Sequence, residues 1–166
     1  MAKNVTSRSQ ISNNLNLIMQ QCITELIEKI EDVVKEHVET DVYDVGTSVG
    51  RENYYDDSGE PTGQLRDSIK VEVIQEGMDV FFDIKNDPSI MDFDPDTFLH
   101  GSDYYSPADV RSFLGNILND GTSGGLFGGR WQGLKRPYLT NADEELKRKI
   151  PQWWKEALRK RGLDVK

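Results

Sequence analysis

The chain has 166 residues, with 20 Lys+Arg against 29 Asp+Glu and a formal net charge of −9. That length suits a single domain. Hydrophobic residues at 36% and charged residues at 30% describe a soluble chain with a modest core. No run approaches the ~20 consecutive apolar residues of a membrane span, and Met1-Ala2-Lys3-Asn4-Val5 lacks the apolar stretch of a secretory signal. A membrane role is therefore not expected. One cysteine, Cys22, excludes an intrachain disulfide and fits assembly in a reducing cytoplasm.

The charge is uneven. Residues 1–100 hold 8 basic and 21 acidic side chains, net −13, whereas 101–166 hold 12 and 8, net +4. A broad acidic surface argues against a nucleic-acid binder, which must neutralise phosphates with Lys and Arg. The same polarity would let copies of the chain meet acidic part to basic part.

In chain order, Ser9 to Glu39 predicts one long amphipathic helix. Ile11, Leu15, Ile18, Cys22, Leu26, Ile30 and Val33 recur at steps of three or four, widened by Met19, Ile23, Ile27 and Val34. The helix reads first as a core helix, with reach to a neighbouring subunit as the secondary reading of its length, and Cys22 is expected to be a buried thiol. A polar connection, 40–63, follows, containing Tyr43, Gly46 and Gly50. Gln64 to Ser68 predicts a helical turn. Ile69, Val71 and Val73 alternate with Lys70 and Glu72 as a half-buried strand, Gln75 to Asp79 predicts a hairpin turn, and Val80, Phe82 and Ile84 share one face of a second strand.

An acidic, proline-bearing insertion, 86–107, comes next, then a helix over Ala108–Leu118 and a glycine-rich loop, 119–135. The last helix is predicted from about Ala142 to Arg161. Asn141 with Glu144 forms its capping box, Gly162 is its C′ residue, Leu146, Ile150, Trp154, Ala157 and Leu158 form its stripe, and Pro151 is its expected kink. Trp154 belongs to that stripe, and Trp153 is a candidate cover for a subunit contact.

Chemistry-bearing motifs are weak. Asp92, Asp94, Asp96 and Asp103 occupy positions 1, 3, 5 and 12 of an EF-hand-like loop. Thr97 stands where glycine makes the turn, Pro95 intrudes and position 12 is not glutamate, so no resident metal is expected. The loop Gly124, Gly125, Leu126, Phe127, Gly128, Gly129, Arg130, Trp131 lacks the Lys-Ser/Thr ending of a phosphate loop. It is instead the candidate assembly loop, ordering on a neighbour. His37 and His100 lack a convincing nucleophile nearby, and no Gly-x-Ser-x-Gly elbow occurs. Neither catalysis nor a cofactor is expected.

Three segments carry a resemblance. Pro61-Thr62-Gly63-Gln64-Leu65-Arg66-Asp67-Ser68-Ile69 resembles the Pro-x-Thr-Gly-x-Leu-Arg-x-Ser-Ile signature of siphophage tail-completion, or neck, proteins. Ile117-Leu118-Asn119-Asp120-Gly121-Thr122 is similar to that family's apolar-x-Glu-x-Gly-Thr segment. Arg136-Pro137-Tyr138-Leu139-Thr140-Asn141-Ala142 resembles its Arg-Pro-Phe-Leu-x-x-Ala run. The order of the three, with the flanking helices, spans most of the chain. The long polar segment at 40–60 and the acidic insertion depart from the family pattern.

From the residues, the expected fold is α+β: a long N-terminal helix and a C-terminal helix packed on a small antiparallel β-sheet. The resemblance implies a head–tail joining protein of the virion neck, assembled in the bacterial host cytoplasm. It further implies a homo-oligomeric ring, hexameric by preference, between connector and tail-tube proteins, through which DNA passes without specific binding. The motif residues are expected to maintain the fold: Leu65 and Ile69 dock on the long helix, Ser68 and Thr62 bond nearby backbone, Arg66 either pairs with a carboxylate or stays solvated, and Tyr138 packs beneath the last helix. The main alternative is an acidic prophage-encoded adaptor or a calcium-responsive binding module; a hydrolase, which would need an unrecognised carboxylate site, is third.

Overall fold

The computed structural model describes residues 8–45, 62–76, 79–90, 115–116, 118–120 and 135–165. The architecture is α+β. A long helix α1 (Arg8–Val38) continues into a π-helical turn (Glu39–Tyr43) and is followed by a short helix α2 (Gln64–Asp67). A two-stranded antiparallel sheet, β1 (Ile69–Glu76) and β2 (Asp79–Asn86), comes next, and α3 (Tyr138–Lys160) is the final helix.

α1 forms because its apolar residues recur at helical spacing with no proline to interrupt them. At 1.5 Å per residue its 31 residues span about 46 Å. Leu26, Ile30, Val33, Val34 and Val38 are buried along one side. The predicted polar connection begins later than its composition suggests. Residues 39–43 stay helical, and Val42 and Tyr43 are buried. Tyr43 turns inward because it can pack its ring and still bond its hydroxyl: Tyr43 Oη accepts the Arg66 backbone N–H at 3.3 Å.

The hairpin keeps the predicted faces. Ile69 and Val71 point into the core and Phe82 and Ile84 pack against it, while Lys70, Glu72, Asp83 and Lys85 are exposed. The register runs from Ile69↔Asn86 to Glu76↔Asp79. α1 also guards the sheet edge, since Glu31 Oε1 accepts the Val71 N–H at 3.4 Å.

α3 runs antiparallel to α1. Asn141 meets Asp41 and Glu145 meets His37 at one end, while Arg161 meets Glu25 and Gln21 at the other. Leu146, Ala157 and Leu158 are buried, with Ile150, Trp153 and Trp154 packed half-buried beside them. Pro151 lies inside the helix, which continues through it to Lys160. The C-terminus is a Schellman motif, as Gly162 promised. Gly162 adopts φ +83°, its N–H donates to Arg159 O at 2.9 Å, and Leu163 N–H donates to Leu158 O at 3.1 Å.

The predicted start of α3 is wrong by one turn. The helix begins at Tyr138, so Asn141 lies inside it and the Asn141–Glu144 capping box does not form. The cap comes from elsewhere in the chain, as described below.

Candidate functional site

The described parts of all three motif segments come together at the start of α3. In the first, Gly63 takes the left-handed conformation, φ +76°, that turns the chain into α2. Thr62 Oγ1 accepts the Gln64 N–H at 3.4 Å. Leu65 and Ile69 are buried in the same cluster as the α1 stripe. Arg66 bridges Glu39 at 2.7 Å and Asp67 at 2.8 Å, so α2 is tied to the end of α1. Ser68 is fully buried, and its Oγ donates to Leu65 O at 2.7 Å.

Ser68 is one end of a polar relay through the core. Its Oγ accepts from Asn86 Nδ2 at 2.8 Å, and Asn86 Oδ1 accepts from Tyr138 Oη at 3.2 Å. Tyr138, fully buried, leads α3. Burial pushes its phenol well above the ordinary tyrosine range, against the opposing hydrogen bond to Asn86. Tyr43, beside it, is pushed up to about 12 by burial. Both rings are therefore neutral hydrogen-bonding pillars at physiological pH. Gly115 sits against this relay, where a Cβ would run into Asn86 Oδ1 and Tyr138 Oη.

The second segment supplies the missing helix cap. Asn119 is buried, and its Oδ1 accepts the backbone N–H of Thr140 at 3.0 Å. Its Nδ2 donates to Asp120 Oδ1 at 2.7 Å and Thr140 Oγ1 at 3.2 Å. Thr140 is the third residue of α3, whose N–H has no intrahelical acceptor and which a side-chain oxygen ordinarily satisfies. Here the oxygen comes from 21 residues upstream. The third segment completes the join, as Arg136 N–H donates to Leu118 O at 2.6 Å. Pro137 stands immediately before the helix and Leu139 packs half-buried against the core.

A second polar contact clamps α3 to the end of α1. His37 Nδ1 lies 2.9 Å from Asp41 Oδ2, and Nε2 lies 3.2 Å from Glu145 Oε2. Asn141 Nδ2 donates to Asp41 Oδ2 at 2.9 Å. Glu145 is held below the usual glutamate range by its bond from Lys149 first, and by His37. Carboxylates engage both ring nitrogens, so the ring joins helices and is not aimed at a nucleophile. At the other end, Glu25 is lowered by bonds from Lys29 first and then Arg161. The Cys22 thiol is buried, as its position in the stripe predicts, and burial raises its pKa against the opposing Arg161 charge. Trp153 is half-buried, and the Lys29 and Lys149 ammonium groups each lie 5.7 Å from its ring.

Among the described residues, no cluster of three or more His, Cys, Asp or Glu side chains is arranged to hold a metal. No described helix is long and apolar enough to cross a membrane. Pro61, Gly121 and Thr122, the aspartates 92, 94, 96 and 103, and the glycine-rich loop 124–131 lie outside the described residues. The hubs that sequence reasoning missed are Asn86 and Asn119. Asn86 had a signal: it falls on the same strand parity as Val80, Phe82 and Ile84, a polar residue on an apolar face. Asn119 had none, because its partner is a distant helix end.

No protein family, curated protein or solved structure matches the chain.

Proposed function

We propose that the chain is a structural virion protein of a long-tailed phage: a tail-completion, head–tail joining component that forms a ring between connector and tail tube. The observation that carries this reading is the convergence at Tyr138. The three segments that resemble the neck family are far apart in sequence, yet their described residues meet through Ser68, Asn86, Asn119 and Tyr138. A set of motifs that builds one buried join is what a shared fold requires. A shared catalytic site would instead gather titratable groups in a cleft.

The ring reading also accounts for the charge. A net −9 protein around a channel repels phosphate, so DNA slides through where a basic wall would hold it. Each copy would meet the next through unlike surfaces, the heterologous geometry that closes into a ring when the rotation permits.

Electron microscopy with native mass measurement tests this, on the purified chain alone and mixed with a connector protein of a long-tailed phage. The expected result is a closed ring, of six copies by preference, in at least one of the two conditions. A chain that stays monomeric in both, or that grows only into open filaments, overturns the reading.

A further inference from the structure

Among the described residues, two apolar patches stay exposed, and they differ in kind. The first is the beginning of α1, where residues 9–17 are all exposed over about 14 Å of helix. Ile11 and Leu15 are 50% and 42% exposed, yet they continue the line of half-buried Ile18 and fully buried Cys22. The steps 11, 15, 18 and 22 alternate four and three, the spacing of a seam that packs along another element. α3 covers the seam only as far as Arg161, which bonds Gln21 O at 3.2 Å.

The second patch is the outer face of the hairpin. Ile74 and Phe81 are direct cross-strand partners, 45% and 50% exposed. Above and below them, Glu72 faces Asp83 and Glu76 faces Asp79. Like charges directly opposite one another destabilise a sheet, and Lys85 answers this frame at Glu72. Isolated exposed apolar residues are ordinary. A stripe that emerges from the core, and a registered pair framed by carboxylates, are not isolated.

The two patches complement each other in charge. Residues 1–24 contain Lys3 and Arg8 and no acid, so the start of α1 can approach the acidic frame without repulsion. Hairpin against hairpin would instead bring two acidic frames together.

We propose that the start of α1 in one copy docks through Ile11 and Leu15 across the Ile74–Phe81 pair of a second copy. Each copy then offers one helix arm and one hairpin, so the contact repeats from copy to copy. The docking rests on these surfaces, and only its closure into a ring rests on the neck reading.

Sedimentation velocity on the full chain tests it, using Leu15→Glu and Phe81→Glu separately and as an equimolar mixture. Each substitution weakens self-association by at least about tenfold, a change of about 1.4 kcal/mol. The mixture forms a heterodimer, because the intact arm of Phe81→Glu meets the intact hairpin of Leu15→Glu while the remaining pair is spoiled. A mixture that stays monomeric, variants that associate like the wild type, or a wild type that is monomeric at every concentration each overturn the proposal. Thermal unfolding checks that both variants keep the wild-type midpoint, and Leu15→Ser and Phe81→Ser replace any that does not. Open chains lost in both variants would support the docking and sink the ring, whereas a closed ring indifferent to both would do the reverse.

Discussion

The two ends of α1 carry the same stripe and meet different fates. From Cys22 to Val38 the stripe is buried beneath α3, the hairpin and α2, and the end is pinned by Arg66, His37 and Asn141. From residue 9 to 17 the same helix stands exposed. Amphipathic spacing determines which side of a helix is apolar; where neighbouring elements stop determines which part of that side is covered. Here α3 stops at the Schellman turn of Gly162, and the chain folds Leu163 and Val165 back onto the core. Among the described residues nothing covers the stripe before Ile18, which is the surface the proposed docking would use.

Substituting along the stripe breaks this comparison most sharply. Leu26→Ala empties a fully buried site and should cost about 2–5 kcal/mol. Leu15→Ala on the exposed segment should change monomer stability by under about 0.5 kcal/mol. Urea titrations of the two variants measure the difference, and equal costs would mean that the exposed segment packs within the monomer.

Next in size is the remote cap. Asn119→Ala removes the acceptor of the Thr140 N–H and should cost about 1–2 kcal/mol. Hydrogen exchange should show the loss as faster exchange in the first turn of α3, with the exposed end of α1 unaffected. Gly162→Ala follows at about 1 kcal/mol, since its φ of +83° suits glycine and nothing lies within 4 Å of an added Cβ. Thermal melting reads that change, and an unaltered midpoint would mean that the turn is not held.

The smallest effect is that of acid on the α1–α3 clamp. Glu25 and Glu145 are both held below the ordinary glutamate range, by Lys29 and Arg161 and by Lys149 and His37 respectively. Their contribution is present above the unfolded glutamate pKa of about 4.3 and is lost as pH falls through the lower folded values. These groups are near the surface, so each contributes at most about 1 kcal/mol. Glu25→Gln with Glu145→Gln should flatten the fall in melting temperature between about pH 5 and 3.

Much of the fold was legible in the sequence, and the limits have a physical pattern. Period 3.6 located α1, period 2 identified the inner face of the hairpin, and Gly162 marked the end of α3. Thr62 and Ser68 bonded nearby backbone as their chemistry allows locally. The failures all involve partners brought together only by folding. Asn141 looked like a cap because Glu144 sits three residues on, but Asn119 provides the cap and frees Asn141 to reach Asp41. Tyr43 looked like part of a polar connection, yet Arg66 across the fold made its burial affordable. The unequal charge of the two halves suggested copies meeting acidic part to basic part. Some of that polarity is satisfied within one chain, where Arg161 lies 3.1 Å and Lys160 3.7 Å from Glu25.

Hydrogen exchange measured at two protein concentrations tests most directly whether one end of α1 holds the domain while the other awaits a copy. In dilute solution, amides of residues 26–38 should be protected and those of 9–17 should exchange close to the rate of open chain. At concentrations where copies associate, 9–17 and the hairpin around Ile74 and Phe81 should gain protection together. Association that leaves both segments exchanging freely, or protection of 9–17 already present in the monomer, would contradict the account.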